Sequence, residues 1–430
     1  MGRRIHLESL THGLELLALA LGGPLLLFPT QWPVATAVAL GLLPLVWAAE
    51  TALRRPWPLS PFNGALLLLL AMVLVAILVS PAPDLTLPKA TGIILGVGLF
   101  RCTAGVHGEK ARRWALALFL LAATAVWGMG LLGASWPSKI PEMRAWLDRL
   151  PERAVFLPGI PRYGINPNEV AGVLALLLPV PIALSLAGRP SLSSLPRRLV
   201  VALLALLWAG TLVLTQSRSG WLGGAAGLLA LAVLWGISGE RRWQRWAALA
   251  LLLGVVAGVA VLLLGWGPGQ LGRLLDGVGG GSLDTAVGRV TMSNRLEIWS
   301  RALYAIQDFP FTGCGLGTFR RVVWILYPLF AFSPGQDIAH AHNVFLQMAV
   351  DIGLPGLVAY LALLGLAGAV GWQVARQGGE KRWLALGLCS GLLGYHLYGL
   401  TDALALGSRP HFLFWWMLGL LAMLTGEAEA

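Results

Sequence analysis

The sequence predicts an all-α protein that crosses a membrane many times, for three reasons. Of its 430 residues, 57% are hydrophobic and only 12% are charged. Long apolar runs, such as residues 65–79 and 199–214, recur along the whole chain. None of these runs has the alternating pattern of a membrane barrel strand. Because lipid offers the backbone no hydrogen-bond partner, runs of this kind are predicted to be helices.

Division of the chain into apolar segments gives about twelve predicted spans, since a bilayer requires roughly 20 residues for each. They lie near residues 11–28, 33–50, 63–80, 88–104, 113–132, 168–187, 198–215, 220–237, 244–265, 343–373, 383–400 and 408–425. The first is interpreted as a retained helix, because no small-residue cleavage site follows it. The predicted divisions are 1–132 with spans one to five, 133–167 as a first loop, 168–265 with spans six to nine, 266–342 as a second loop and 343–430 with spans ten to twelve.

Basic residues indicate how these spans are oriented. Clusters near residues 3, 54, 112, 197, 241 and 381 all fall on one side of the predicted membrane. By the positive-inside rule that side is cytoplasmic, so both termini are predicted to be cytoplasmic and both long loops to face outward. The net charge of +11 is divided among these short clusters, which argues against a nucleic-acid partner.

Each long loop contains a predicted amphipathic helix. In the first loop, PEMRAWLDRLPER (residues 141–153) has apolar residues at helical spacing and is predicted to lie on the membrane surface. In the second, SNRLEIWSRALYAIQDFP (residues 293–310) has Asn294 and Glu297 at the spacing of a helix cap. The apolar residues predicted to form its buried face are Leu296, Trp299, Leu303 and Ile306.

The candidate catalytic residue is His342, in the stretch AHAHNVFLQMAVDIGLPG at residues 339–356. A helix that begins near Asn343 would direct its positive end at this imidazole and favour the neutral ring. A neutral imidazole near pH 7 can accept a proton from a hydroxyl group. The alternative is that His340 and His342 are ordinary polar residues at the boundary between water and lipid.

Several other polar residues are candidates for substrate binding. Arg218, in the outward turn TQSRSG, has small neighbours that leave its guanidinium accessible to diphosphate oxygens, although it could simply anchor a helix at the interface. Arg295 lies where a helix dipole disfavours a cation, so either a bound anion or plain solvation would account for it. Arg162, Asn166 and Asn168 precede the sixth span, in a pattern also typical of turns and caps.

Cofactor and metal sites find little support in the sequence. The three cysteines fall in unrelated segments, which indicates neither a disulfide framework nor a metal motif. His340 and His342 are two residues apart, so on a helix they would face different directions. No nucleotide-binding motif occurs. We therefore predict neither cofactor nor metal.

Three blocks of the sequence resemble the O-antigen ligase and O-antigen polymerase family of membrane glycosyltransferases. They are TQSRSGWLGG at 215–224, NRLEIWSRALYAIQDFPFTGCGLGTF at 294–319 and AHAHNVFLQMAVDIGLPGL at 339–357. A fourth block, RYGINPNEVAGVLALLLP at 162–179, is also similar to the family's pattern. Together and in this order, they extend over about residues 160–360.

The resemblance implies an all-helical GT-C-type fold and metal-independent transfer on the periplasmic face of a bacterial inner membrane. The implied donor is a glycan on undecaprenyl diphosphate. By position, His342 resembles the family's catalytic base, and Arg218 and Arg295 resemble its diphosphate-binding arginines. Asn343, Arg162 and Asn168 are the further predicted substrate-binding residues.

Four functions remain open at this point. The first is O-antigen ligase, with lipid A–core as the acceptor, and the second is polymerase, with another lipid-linked repeat unit as the acceptor. Transfer to protein hydroxyl groups is a third, although this chain has no long outward region after its last predicted span. A transporter or flippase is the fourth, and it would require ionisable residues within the membrane, for which Glu15 and Asp402 are the few candidates.

Overall fold

The computed structural model describes residues 2–52, 57–136, 164–187, 195–265, 292–333 and 336–426, with isolated positions between 140 and 149. Over these residues the prediction of an all-α fold is confirmed, and the β pairing is confined to one bridge between Ala134 and Ile165. The first helices are α1 (Gly2–Leu27), α2 (Pro33–Ala52), α3 (Asn63–Leu78), α4 (Pro83–Ala104), α5 (Glu109–Gly133), α6 (Pro167–Leu177), α7 (Pro179–Leu186) and α8 (Leu195–Leu214). They are followed by α9 (Arg218–Ile237), α10 (Arg242–Gly265), α11 (Met292–Asp308), α12 (Phe319–Leu326), α13 (Val344–Gln377), α14 (Gly379–Tyr398), a 3₁₀ turn (Arg409–His411) and α15 (Phe412–Thr425).

The chain is a polytopic membrane protein. Among the described residues, 8 helical segments are long and apolar enough to cross a bilayer. Two shorter apolar helices, Gly13–Leu27 and Asn63–Leu78, coincide with further predicted spans. Every predicted span overlaps a helix, while the total of twelve crossings stays a prediction.

Glycines account for the close packing of α4, which contains the predicted fourth span. In α4, a Cβ atom on Gly96 would lie 2.1 Å from the indole of Trp415, and one on Gly92 would lie 2.3 Å from the carbonyl oxygen of Gly407. These positions allow α4 to pack tightly against α15 and the segment before it. Helix α4 is therefore an interior helix, since 67% of the residues in its apolar 18-residue stretch are buried.

A buried ionic cluster joins the first helices of the bundle. Arg101 of α4 forms ion pairs with Glu15 of α1 and Glu50 of α2, and all three side chains are almost inaccessible to solvent. The indole of Trp47 donates a hydrogen bond of 3.0 Å to Glu15. Because an opposite charge compensates Glu15 in the interior, it is engaged in helix packing rather than standing alone in the membrane.

Helix α13 has a break that positions the surface part of the protein. Gly353 has a φ of 71° and a ψ of 174°, so the helix consists of an arm before it and a longer segment after it. The backbone groups released there are bound by the preceding loop, since the N–H of Leu354 donates to Pro310 at 2.7 Å. A Cβ atom on Gly353 would lie 2.5 Å from the carbonyl oxygen of Phe311, a separation that leaves room only for glycine.

The predicted buried face of α11 is wrong for its two leucines, whereas Ile306 packs against the buried cluster as predicted. Leu296 and Leu303 are 56% and 51% exposed, whereas Ile298, Ala302 and Ala305 are fully buried against the surface loop and the arm of α13. Alanine allows the closest approach between helices, and a pattern based on large apolar residues does not identify such an interface.

The predicted helix cap in this region is also wrong. Helix α11 begins at Met292, so Asn294 lies inside it. The carboxylate of Glu297 instead accepts hydrogen bonds from the backbone N–H groups of Phe330 and Ala331, at 2.7 and 2.9 Å. Of the surface helix predicted in the first loop, Trp146, Leu147 and Leu150 lie outside the described residues.

Candidate functional site

Four helix ends and the side of helix α11 meet at one end of the bundle, which we call the site end. The start of α13 is tied to the end of α14 by a 2.7 Å hydrogen bond from the N–H of Val344 to the carbonyl of Gly399. The hydroxyl of Tyr398 donates to the carbonyl of Asn168 in α6 at 3.0 Å. Ser219 of α9 and Thr401 are joined through their hydroxyl groups at 2.8 Å. Helix α11 completes the group through Trp299, whose indole donates to the carbonyl of His342 at 3.4 Å.

His342 lies at the site end, immediately before the cap of α13. Asn343 caps the helix, as its side-chain oxygen accepts hydrogen bonds of 3.0 Å from the N–H groups of Phe345 and Leu346. His342 itself has a φ of 49°, in the left-handed region that residues with a side chain rarely adopt. This backbone turn directs the imidazole away from the helix axis and toward the loop after α14.

Asp402 is the closest charged partner of His342. The carboxylate oxygen Oδ1 of Asp402 lies 3.3 Å from Nδ1 of His342 and accepts a 2.9 Å hydrogen bond from the N–H of Ala403. Burial raises the pKa of the Asp402 carboxyl, but the hydrogen bond with His342 and the charges of His342, His340 and Arg295 outweigh burial and hold the pKa below its usual value. Asp402 is therefore an ionised carboxylate that can orient His342.

His340 is the third member of this group. Its Nε2 atom lies 3.7 Å from Oδ1 of Asp402, and its ring centroid lies 4.3 Å from that of His342. Its Nδ1 atom accepts a hydrogen bond of 3.1 Å from the backbone N–H of His342, so the proton of the neutral ring is on Nε2. Burial, followed by the influence of His342, lowers the pKa of His340 to about 3, so the ring is neutral near pH 7.

The expectation that His340 and His342 face different directions is wrong, because it assumed that both residues lie on a helix. Residues 339–343 are not helical, and both rings face the same carboxylate. The candidate ligand atoms of His340, His342 and Asp402 lie within 4.8 Å of one another. Such a trio could hold a divalent cation, so the absence of a metal stays a prediction that chelation must test.

Arg295 lies beside this group and Arg218 lies at its edge. Arg295 acts electrostatically on Asp402 and His340, and its buried Nε atom has no hydrogen-bond partner among the described residues. Arg218 is the first residue of α9, next to the Ser219 that bonds Thr401, and its buried Nη1 atom likewise has no partner within the part of the chain that the structure describes. Buried donors of this kind are suited to an anionic ligand.

Comparison with known proteins identifies the segment that carries these residues. The family profile described as O-antigen ligase matches residues 200–361, which include Arg218, Arg295 and His342. Residues 200–361 belong to the O-antigen ligase family. The O-antigen ligase of Pseudomonas aeruginosa is 29% identical to this chain over 306 residues, an alignment that covers 69% of this chain and 63% of that relative. The chain thus spans less than two thirds of the length of the relative.

Asp402 lies beyond the matched O-antigen ligase segment, and it was not predicted as a site residue. From the sequence it is only one of the few candidate ionisable residues within the membrane. Its partner His342 is 60 residues away in the chain. The available signal was a single acidic residue in the short loop TDALALG, on the same predicted side of the membrane as the histidines.

The remaining predicted binding residues are Asn343, Asn168 and Arg162. Both polar atoms of the Asn343 side chain make hydrogen bonds within the protein, because Oδ1 caps α13 and Nδ2 donates to the carbonyl of Leu400 at 3.0 Å. Asn168 lies in the first turn of α6, where its N–H is bound by the capping side chain of Asn166 at 2.9 Å. Arg162 lies outside the described residues. Their roles in binding stay predictions.

A buried polar chain within the O-antigen ligase domain fixes the loop that bears the histidines. Gln347 accepts a 2.6 Å hydrogen bond from the N–H of Ala341 and donates one of 2.8 Å to Asp351. Asp351 also accepts from the N–H of Gly317 at 2.9 Å. Because Ala341 lies between the two histidines in the sequence, these hydrogen bonds set the position of the histidines relative to α13.

Proposed function

We propose that the protein is a membrane glycosyltransferase of the O-antigen ligase type. The donor in this proposal is a glycan attached to undecaprenyl diphosphate, and the acceptor is a hydroxyl group on lipid A–core. Oxygen of the acceptor attacks the anomeric carbon, the bond from that carbon to the diphosphate oxygen breaks, and the diphosphate leaves with the electron pair. The proton of the hydroxyl passes to the protein, and direct attack inverts the anomeric configuration.

One observation carries the proposal, namely the 3.3 Å contact between Nδ1 of His342 and the ionised Asp402. A proton on Nδ1 that is directed at the carboxylate leaves the lone pair of Nε2 available to accept the hydroxyl proton. The carboxylate then stabilises the imidazolium that forms during the transfer. His342 is therefore the proposed general base and Asp402 the residue that orients it.

Arg218 and Arg295 are the proposed diphosphate ligands. Negative charge grows on the diphosphate as its bond to the sugar breaks, and preorganised guanidinium groups stabilise this charge. Each arginine has a buried nitrogen for which the described ranges of the chain provide no partner, which supports an anionic ligand. No step in this reaction requires a metal.

Ligase is preferred to polymerase because the matching family profile and the relative are both named for ligase. In this proposal, the site end faces the periplasm and the protein resides in a bacterial inner membrane. The GT-C relation and the cytoplasmic location of both termini belong to the same proposal.

The test uses purified protein in lipid with chelator and an undecaprenyl-diphosphate-linked repeat unit. Transfer that requires added lipid A–core would support a ligase. A ladder of lipid-linked oligomers without that acceptor would indicate a polymerase instead. Both activities should be lost in His342→Ala and Arg218→Ala.

Arg321→Ala provides the matched control. Arg321 is an exposed arginine near the same end of the bundle, paired with Asp84 at 2.6 Å. Its loss should leave transfer unchanged, which would show that activity depends on the particular arginines rather than on net charge. Full activity in His342→Ala would remove the proposed base and the mechanism with it.

A further inference from the structure

An apolar cavity of about 300 Å³ lies between α9, α13 and α14, within the membrane-spanning part of the bundle. Leu234, Gly368 and Leu386 are among the residues of its wall. Trp372 and Leu393, which also belong to the wall, are 37% and 45% exposed, so the cavity opens onto the lipid-facing surface. A cavity of this size and lining is suited to a hydrocarbon chain.

His396 is the histidine of the cavity wall, and both of its ring nitrogens make hydrogen bonds within the protein. Nδ1 donates to the carbonyl of Leu392 at 2.6 Å, and Nε2 accepts from the hydroxyl of Tyr360 at 2.8 Å. These nitrogens are therefore not available to a polar ligand. The cavity itself favours an apolar group, and recognition of a charged group must come from its surroundings.

Two glycines of α13 shape the cavity. A Cβ atom on Gly371 would lie 2.0 Å from Sγ of Cys389, so α13 and α14 are in close contact at this point. A Cβ atom on Gly368, by contrast, would have no neighbouring atom within 4 Å. The missing side chain at Gly368 thus leaves open space, and a leucine at this position would occupy the cavity without displacing a neighbour.

Arg382 lies beside the cavity, at the end of the bundle opposite the site end. It is one helical turn before Leu386 in α14, and its Nη2 atom donates to the carbonyl of Trp235, the residue after Leu234, at 2.9 Å. Nη2 also donates to the hydroxyl of Ser238 at 3.2 Å. The guanidinium is therefore held in place, while its buried Nε atom has no hydrogen-bond partner among the described residues.

The turn between α9 and α10 holds a second arginine. Nε of Arg245 donates to the carbonyl of Gly239 at 3.0 Å, next to the Ser238 that binds Arg382. Glu240 acts on Arg382 electrostatically, but no carboxylate of the described residues forms an ion pair with either arginine. In sequence, cations predominate in the two turns at this end, which contain Arg241, Arg242, Arg245, Arg376, Lys381 and Arg382 against Glu240 and Glu380.

Tryptophans indicate the depth of these arginines in the bilayer. The ring centroids of Trp235 and Trp243 lie 6.2 Å apart, and the guanidinium of Arg382 lies 5.8 Å from the ring centroid of Trp383. Because tryptophan concentrates at the level of the lipid headgroups, the arginines lie where a lipid phosphate lies. The cavity then extends from this level into the acyl-chain region.

We propose that this cavity and Arg382 bind one anionic phospholipid from the leaflet opposite the site end. The phosphate accepts hydrogen bonds from the guanidinium of Arg382, the charge of Arg245 adds attraction, and one acyl chain occupies the cavity. The excess of cations favours a headgroup with net negative charge over a zwitterionic one. A polyprenyl chain of the donor does not account for Arg382, because that chain is uncharged at this depth.

Native mass spectrometry of the delipidated protein, titrated with phosphatidylglycerol, tests the proposal. The wild-type protein should retain one such lipid, and phosphatidylethanolamine should bind more weakly. Arg382→Gln should weaken binding of phosphatidylglycerol about 10- to 100-fold, the loss typical of a hydrogen bond to a charged group. Gly368→Leu, which fills the cavity and leaves the arginines intact, should also weaken binding. In the wild-type protein alone, phosphatidylglycerol should raise the melting temperature.

Two control variants and a competing lipid separate the interpretations. Gly365→Leu places the same side chain in open space elsewhere on α13, and Arg113→Gln removes an exposed cation of α5 at the same end. Both should bind phosphatidylglycerol as the wild-type protein does. Equal affinity for the two phospholipids, or unchanged binding in a folded Gly368→Leu protein, would overturn the proposal. Displacement of phosphatidylglycerol by undecaprenyl phosphate, with a higher KM for donor in Gly368→Leu, would assign the cavity to the donor chain instead.

Discussion

The contact between Asp402 and His342 leads to the most direct prediction, for the variant Asp402→Asn. This change removes the negative charge and nearly preserves the size of the side chain. The N–H of Ala403 donates to Oδ1 at 2.9 Å, so the asparagine oxygen should keep that orientation. We therefore expect the loss of a charge beside His342, with little rearrangement of the loop.

The expected loss of rate follows from the distance. For charges 3.3 Å apart, Coulomb's law gives about 1 kcal/mol at the dielectric constant of water and about 5 kcal/mol at an effective value of 20. Asp402 is buried within a site that must admit substrate, so an intermediate value applies. A stabilisation of about 3 kcal/mol corresponds to a decrease in the transfer rate of roughly 10²-fold.

Single-turnover transfer from a lipid-linked donor, with saturating acceptor, measures this loss directly. Asp84→Asn is the control, since Asp84 is an exposed carboxylate near the same end that pairs with Arg321. Thermal unfolding of both variants in detergent shows whether the fold is retained. A folded Asp402→Asn protein that transfers at the wild-type rate would refute the role assigned to this carboxylate.

Three further predictions concern stability and metal dependence. Folding lowers the pKa of His340 from 6.5 to about 3. At a pH between these two values the unfolded chain therefore binds more protons than the folded chain. Because of this difference, the free energy of unfolding rises with pH until about pH 6.5. The wild-type protein should therefore lose about 2 kcal/mol from this group between pH 7.5 and pH 5, and His340→Gln should lose less in calorimetry at the two pH values. Transfer should be unchanged after dialysis against chelator, and activity that returned only with added zinc or magnesium would contradict this. Gly353→Ala should destabilise the protein by about 2 kcal/mol or more because of its positive φ and the nearby carbonyl of Phe311, whereas Gly365→Ala, in the same helix with open space around it, should be neutral or slightly stabilising in the same melting experiment.

The architecture was largely predictable because lipid imposes simple rules. Each span must be a helix with an apolar surface, and apolar length alone identifies it. The break in α13 was not predicted, since its cause lies in another part of the chain. Gly353 and Pro355 permit the break, but the loop at residues 309–314 provides the partners that stabilise it. Long-range partners of this kind leave no local signal.

The site was predictable only in part, for a similar reason. His342 and Arg295 were selected by their positions in recognisable blocks, and the structure brings them to one end of the bundle. Asp402 was missed as a site residue because it is a single charged residue in an apolar context. Its contact with His342 depends on segments that come together only in the folded protein. His340 was set aside because the local conformation was taken to be helical.

The left-handed backbone conformation of His342 lowers the stability of the fold at a residue that the proposed activity requires. A residue with a side chain pays about 1–2 kcal/mol for this conformation, whereas glycine adopts it freely. Among all substitutions at this position, His342→Gly is thus the one that removes this backbone cost, while it also removes the partner of Asp402. Engineering of the protein for thermostability, without an assay of transfer, would select against the very residue on which the proposed chemistry depends.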